Sequence, residues 1–91
     1  MMTETEVLEK EEIKTDVEKS RSLILYNDDV NTFDHVIESL VKVCKHEQIQ
    51  AEQCTWIIHY NGKCAVKEGE MDYLMPMRRA LTDRGIDAKI H

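Results

Sequence analysis

The spacing of apolar residues beyond residue 20 predicts short strands interrupted by amphipathic helices. Residues 22–26 form an apolar run that ends at Asn-Asp-Asp, a pattern typical of a buried strand entering a turn. Residues 63–67 and 86–90 alternate between apolar and polar side chains, so each segment predicts a half-buried strand. The pattern therefore predicts three strands.

The first predicted helix follows the first strand. Its apolar positions recur at helical spacing and comprise Phe33, Val36, Ile37, Leu40, Val41 and Cys44. Asn31 is the expected N-cap. Asp34 is expected to complete the cap three residues later and to interact favourably with the positive end of the helix.

Two further helices are predicted. Residues 51–60 form the second, which ends at Asn61-Gly62 and has Cys54, Ile57 and Ile58 on its inner face. Residues 71–84 form the third, which Gly85 ends. The inner face of the third helix consists of Leu74, Met77, Ala80 and Leu81. Because proline disrupts helix interiors, the regular part of this helix is expected to begin only near Pro76, after an irregular turn.

The predicted order of elements is β-α-α-β-α-β. Three antiparallel strands with three helices packed on one face form a two-layer α+β domain, which is expected to occupy residues 21–91. Residues 1–20 carry seven acids and three bases with scattered apolar residues. A segment of this composition does not form a core, so it is expected to be a flexible acidic extension.

Charge and composition exclude several classes of function. The net charge is −6, of which the first 20 residues carry −4, and no basic stripe is present, so nucleic acid is not an expected partner. No apolar run approaches the ~20 residues that span a bilayer, and no signal or transit peptide is visible. The three cysteines are unclustered and are expected to be reduced thiols in a cytoplasmic protein.

Four polar residues are candidates for a binding site. Asn27, Asp28 and Asp29 follow the first strand, and His59 lies near the end of the second helix. Strand ends and helix ends on one side of a two-layer domain often converge, so these side chains are expected to face one spot. Their oxygens and imidazole nitrogen suit a cation with several N–H donors, such as a protonated α-amine.

The spacing alone leaves two other interpretations open. Asn-Asp-Asp before a helix also serves as an ordinary turn and cap, and a lone helical histidine is commonly a surface or packing residue. Alternatively, Asp28, Asp29 and His59 can ligate a divalent metal ion in a metal-dependent hydrolase.

Two segments of the chain resemble the ClpS family. Residues 23–29 (LILYNDD) precede a capped amphipathic helix, and residues 58–63 (IHYNGK) follow in the order and at the separation that the family shows. The resemblance covers residues 21–67 well and the remainder loosely. It implies a fold similar to the C-terminal domain of the ribosomal stalk protein.

The resemblance implies a function in protein degradation by the N-end rule. ClpS-like proteins are adaptors of the Clp protease that bind substrates with N-terminal Leu, Phe, Tyr or Trp. They deliver these substrates to the N-terminal domain of a hexameric Clp-family AAA+ unfoldase, and a flexible N-terminal extension takes part in delivery. Such an adaptor is not an enzyme and needs no cofactor or metal. The alternative is a stalk-type interaction domain that does not bind N-degrons.

The resemblance also assigns site residues by position. Asn27, Asp28, Asp29 and His59 match the residues that grip the α-amine. The pocket for the first side chain maps onto six further residues, of which the last belongs to the final strand: Asn31, Phe33, Val36, Thr55, Ile58 and Ile86.

This chain departs from the family pattern at three places. The usual Thr-Pro-Met at the helix start is Asn31-Thr32-Phe33, and Phe33 is expected to narrow an entrance that the methionine guards against β-branched residues. Thr55 stands where methionine is common. The segment 67–85 is shorter than in relatives and contains Pro76, so docking positions for the unfoldase are not transferred to it.

Overall fold

A computed structural model describes residues 20–91 of the chain. The elements in chain order are β1 (Arg21–Tyr26), α1 (Phe33–Cys44), α2 (Gln48–Asn61), β2 (Lys63–Gly69), α3 (Met71–Asp83) and β3 (Ala88–Ile90). The predicted acidic extension lies outside the described residues except for Ser20. No helix within residues 20–91 is long and apolar enough to cross a membrane.

Strand β1 lies in the centre of the sheet, which has the order β2-β1-β3. Both neighbours pair with it in antiparallel fashion, and the register with β2 shifts between Leu23 and Ile24. Leu23 and Leu25 are fully buried because alternate residues of β1 face the helices. The α+β class with three antiparallel strands and three helices is confirmed.

The hydrophobic core lies between the sheet and the helices. Every element contributes to it or packs against it, and its buried members are Leu23, Leu25, Leu40, Cys44, Ala51, Ile58, Val66, Leu74, Leu81, Ile86 and Ala88. Burial of one large apolar side chain stabilises a fold by about 1.5–3 kcal/mol. This core therefore holds α1, α2 and the β1 end in fixed relative positions.

The predicted cap of α1 is wrong by one residue. Thr32, not Asn31, is the N-cap, and its Oγ1 accepts a hydrogen bond of 3.1 Å from the backbone N–H of His35. His35 therefore occupies the position expected for Asp34, which nevertheless lies in the first turn near the positive helix end. Asn31 does not cap the helix; its side-chain amide instead donates hydrogen bonds to Asp28 and to the carbonyl oxygen of Gly85.

Helix α2 begins three residues earlier than predicted and ends at Gly62 as expected, with Gly62 at a φ of 89°. Its predicted inner face is confirmed for Ile58, which is buried, and for Cys54, which packs against the core, but is wrong for Ile57. Ala51, Thr55 and Ile58 are buried, whereas Ile57 is 42% exposed. Thr55 fits in the interior because its hydroxyl donates to the carbonyl oxygen of Ala51 at 2.7 Å, which satisfies its polar group.

Helix α3 is regular from Met71, so the expected irregular turn before Pro76 is absent from this helix. The sixth helical residue is Pro76, which lacks the N–H that would bind the carbonyl oxygen of Asp72. The side chains of Asp72 and Pro76 are exposed, so water can reach this part of the helix. Leu74 and Leu81 fix the helix by their burial on the opposite side.

Gly85 ends α3 as predicted, with a φ of 82° that favours glycine. The backbone N–H of Gly85 binds the carbonyl oxygen of Thr82, and that of Ile86 binds the carbonyl oxygen of Leu81. These two bonds form a Schellman motif. Strand β3 begins only at Ala88, so the prediction that Ile86 belongs to the strand is wrong. Instead the motif holds Ile86 in the core at 3% exposure.

Candidate functional site

The loop between β1 and α1 is built around Asp28. Its Oδ1 accepts hydrogen bonds from the backbone N–H groups of Val30 and Asn31 at 2.9 and 2.8 Å. Its Oδ2 accepts a third from the side-chain amide of Asn31 at 2.7 Å. Asp28 therefore fills the turn-forming role that the sequence left open for the Asn-Asp-Asp stretch.

These hydrogen bonds favour the ionised form of Asp28. Donation from the Asn31 backbone N–H, assisted by the Val30 N–H and the Asn31 amide, keeps the pKa of this carboxyl below its usual value. Partial burial acts in the opposite direction and is outweighed. The loop therefore presents a fixed negative charge at neutral pH.

Two side chains join this loop and α1 to the turn after α3. The amide of Asn31 donates a second hydrogen bond to the carbonyl oxygen of Gly85 at 2.8 Å. The Nε2 of His35 lies 2.9 Å from the carbonyl oxygen of Arg84. Because Arg84 and Gly85 are the two residues before Ile86, these contacts fix the position of Ile86 relative to the Asp28 loop.

A cavity of about 330 Å³ opens between the Asp28 loop, the start of α1 and the end of α2. Its lining comprises Asn27, Asp28, Asp29, Asn31, Thr32, Phe33, Val36, Thr55, Ile58 and His59. A smaller cavity of about 20 Å³ adjoins it and reaches Ile86, Leu25 and Tyr26. The structure thus brings the ten sequence-predicted site residues to two adjoining cavities, nine of them to the larger one.

The polar groups of the larger cavity are of two kinds. Asp28 and Asn31 are engaged with each other and with the backbone. The side chains of Asn27, Asp29 and His59 are exposed and make no hydrogen bond to any other residue within 20–91. The backbone of Asn27 is nevertheless fixed, because its N–H donates to the carbonyl oxygen of Gly62 at 2.8 Å. The cavity therefore offers unengaged acceptors on an anchored backbone.

The remaining lining is apolar. Ile58 is 5% exposed and Val36 packs against the core, so both present hydrocarbon surface. The hydroxyl hydrogen of Thr55 is used within α2, so this residue adds little free polarity. A cavity of this size with a few convergent polar groups is typical of a ligand site.

An aromatic rim formed by Phe33, Trp56, His59 and Tyr60 borders the cavity. The Phe33 ring meets the Trp56 and His59 rings edge-on, with centroids 4.8 and 5.2 Å apart. Trp56 stacks on Tyr60 at 5.4 Å with an angle of 12° between the ring planes. The apolar pattern of α2 does not indicate a role for Trp56, although its spacing from His59 and Tyr60 places all three on one side of a helix.

Within residues 20–91, no three side chains of His, Cys, Asp or Glu lie close enough to hold one metal ion, and Asp28, Asp29 and His59 do not form such a group. All three cysteines are free. Burial raises the pKa of the Cys44 thiol to about 11, and burial together with the adjacent Cys54 raises that of Cys64 to about 11. Both thiols therefore stay protonated at neutral pH.

Comparison with known proteins gives the family of this chain. Residues 16–87 match the family described as the ATP-dependent Clp protease adaptor protein ClpS. This range is most of the chain and includes both cavities. The chain belongs to the ClpS family. The proteins of this family are adaptors, and the resemblance seen in residues 21–67 is thereby confirmed.

A solved structure of Agrobacterium tumefaciens ClpS2, bound to L-phenylalaninamide, is similar to this chain. The TM-score is 0.77 at 20% sequence identity, and the match covers 80% of this chain and 95% of ClpS2. At this identity the likeness concerns the fold, and it agrees with the three-helix, three-strand arrangement described above.

Proposed function

We propose that this protein binds the free α-amino group of polypeptides that begin with Leu, Phe, Tyr or Trp. It delivers them to the N-terminal domain of a Clp-family AAA+ unfoldase, whose partner protease degrades them. The observation that carries this proposal is the larger cavity, in which unengaged polar acceptors stand beside an apolar floor. A bulky N-terminal residue is complementary to this cavity, because its ammonium group can meet the acceptors while its apolar side chain meets the apolar floor.

The polar side of the cavity suits the ammonium group. A free α-amine has a pKa near ~7.7–8 and is therefore largely protonated at neutral pH. Its three N–H donors match the Asn27 oxygen, the Asp29 carboxylate and a nitrogen of His59. Asp28 contributes negative charge and, through its three hydrogen bonds, the shape of the loop.

The apolar side of the cavity suits a large first side chain. Val36, Ile58 and the adjoining Ile86 form the floor, with Asn31 fixing Ile86 through Gly85 and Thr55 contributing little polarity. Burial of a leucine or aromatic side chain there is worth about 1.5–3 kcal/mol. The ClpS2 ligand is consistent with this assignment, since L-phenylalaninamide combines a phenyl ring with a free α-amine.

The delivery role rests on membership of an adaptor family. The protein acts by binding, without catalysing a reaction of its own and without a cofactor or metal. We assign this function to the cytoplasm, where free thiols such as those of the three cysteines are maintained.

Delivery is tested by degradation of a reporter that begins with Phe in a reconstituted Clp unfoldase and protease. The full-length protein is expected to accelerate degradation of this reporter and to leave a Met-initiated reporter unchanged. Removal of residues 1–20 is expected to abolish the acceleration while peptide affinity stays within about twofold, because those residues precede β1 and the cavity. Acceleration of both reporters by the full-length protein would contradict recognition through the first residue.

If removal of residues 1–20 abolished peptide binding as well, the segment would belong to the binding fold, and its assignment to delivery would be wrong. A variant that binds and delivers as the full-length protein does would show that the segment is dispensable. Peptide binding and reporter degradation must therefore be measured on the same preparations.

A further inference from the structure

The exposed pair Trp56 and Tyr60 lies immediately outside the larger cavity. Trp56 is 49% exposed and Tyr60 73% exposed, although both are large aromatic residues. The centroid of the Trp56 ring lies 4.8 Å from that of Phe33 and 6.2 Å from that of His59. Phe33 and His59 both line the cavity. The pair therefore continues the cavity wall onto the surface of α2.

We infer that Trp56 and Tyr60 form a second subsite, which binds the planar guanidinium of an arginine at the second position of the substrate. This inference rests on the proposed function, because it takes the first residue to occupy the cavity. With the first side chain inside and its α-amine at the polar acceptors, the rest of the polypeptide must leave through the mouth that the aromatic rim borders.

The distances allow the second residue to reach this pair. One extended residue spans about 3.3–3.6 Å. The Trp56 ring centre lies 4.8 Å from that of Phe33, which lines the cavity. A long side chain at the second position is therefore long enough to reach the Trp56 and Tyr60 rings.

Charge and ring geometry favour arginine over other residues at this position. The larger cavity is lined by Asp28 and Asp29 and, among the described residues, by no lysine or arginine. Trp56 and Tyr60 stack on each other with an angle of 12° between the ring planes, so the face of each ring that points away from the other is a flat aromatic surface. A planar guanidinium stacks on aromatic faces, whereas the compact, strongly hydrated ammonium of lysine gains only the charge attraction.

The test compares peptides that differ only at the second residue: Phe-Arg, Phe-Lys and Phe-Ala, each with a free and an acetylated amine. In fluorescence anisotropy, the full-length protein is expected to bind the free Phe-Arg peptide about three- to fivefold more tightly than Phe-Lys. Trp56→Ala is expected to remove this preference and to leave the Phe-Ala affinity within about twofold. Tyr73→Ala is the matched control, because Tyr73 is also 49% exposed and lies on α3, outside both cavities.

Equal binding of the Arg and Lys peptides, or a preference that survives Trp56→Ala, would overturn the subsite while leaving the proposed function intact. Equal binding of free and acetylated peptides would reject the proposed function and the subsite together.

A second readout covers the case in which Trp56→Ala binds no peptide. Trp56 is the only tryptophan of the chain, so its emission reports contact directly. The Phe-Arg peptide is expected to change this emission more than Phe-Lys does at saturation. Equal changes with the two peptides would overturn the inference.

Discussion

Asp28 and Asp29 are neighbours of the same chemical type with different surroundings. Asp28 accepts three hydrogen bonds and shapes the loop, whereas the exposed Asp29 carboxylate has no partner within residues 20–91. Asp29 is therefore free to pair with a substrate ammonium, as proposed above. A change at Asp29 is therefore expected to affect mainly peptide binding, and a change at Asp28 is expected to affect the stability of the fold.

Asp29→Asn is expected to weaken binding of a free Phe-initiated peptide about tenfold or more, because it removes one partner of a charge pair. The free energy of unfolding is expected to stay within about 0.5 kcal/mol of wild type. Peptide titration and urea denaturation measure the two quantities. Unchanged affinity would show that Asp29 does not contact the amine.

Asp28→Asn is expected to destabilise the protein at pH 7 by about 1 kcal/mol, because it removes the negative charge and one of the two oxygens that accept hydrogen bonds. The pKa of Asp28 is lowered in the folded state, so its ionised form stabilises the fold above about pH 4. This stabilisation is lost as the pH falls through the lowered pKa. The wild-type and variant unfolding free energies are expected to converge there, and a constant difference across this range would contradict the assignment.

Phe33 departs from the family pattern, so substrate selection is expected to differ at this residue. Its ring lines the cavity and packs edge-on against Trp56 and His59. Phe33→Ala is expected to admit peptides that begin with Ile or Val, because it widens the entrance for β-branched side chains. Phe33→Met, which keeps a long side chain, is the control and is expected to exclude them. Unchanged selectivity of Phe33→Ala in anisotropy titrations would contradict a gating role.

At the scale of the elements, helix α3 is regular although it contains Pro76. Pro76 removes one hydrogen bond near the N-terminal end, while Leu74 and Leu81 hold the helix against the core. Pro76→Ala is expected to raise the free energy of unfolding by about 1–3 kcal/mol, since alanine restores the bond and relieves the ring contact. Urea denaturation measures the change. A lower unfolding free energy would mean that proline stabilises the protein by restricting the unfolded chain.

Element types and order could be predicted because the apolar spacing of this chain is regular in β1, α1 and α3. The details that failed depend on tertiary contacts. Asn31 has the chemistry of an N-cap, but its side chain is held by the hydrogen bonds that its amide donates to Asp28 and to the carbonyl oxygen of Gly85, 54 positions later. Ile57 has the chemistry of a core residue, but Thr55 occupies the interior because its hydroxyl bonds within the helix.

The candidate site could also be predicted in part, and the rest again depends on tertiary contacts. Asn27, Asp28, Asp29 and His59 were found because strand and helix ends converge, and the structure brings them to one cavity. The sequence could not show which of these side chains form hydrogen bonds within the protein and which do not, because this depends on the orientation of Asn31. Trp56 was missed because exposed aromatic residues do not contribute to an inner-face pattern.

At the scale of the whole molecule, the position of the candidate cavity follows from how the helices pack on the sheet. The core fixes α1 against α2 and the β1 end, and the cavity forms where these three meet. Residues 1–20, which carry a net charge of −4, join the domain at β1, the strand whose other end leads into the Asp28 loop. This arrangement leaves the cavity for the substrate and the extension for the proposed contact with the unfoldase.

The central claim is recognition of a free α-amine on a bulky first residue. It is tested most directly by the affinity of one Phe-initiated peptide and its acetylated copy for the full-length protein. The free peptide is expected to bind at least about thirtyfold more tightly, because acetylation removes the charge and leaves the acceptors unpaired. His59→Ala and Asp29→Ala are expected to reduce this difference. Equal affinity for the two peptides would contradict the account and favour an interaction domain that binds through another surface.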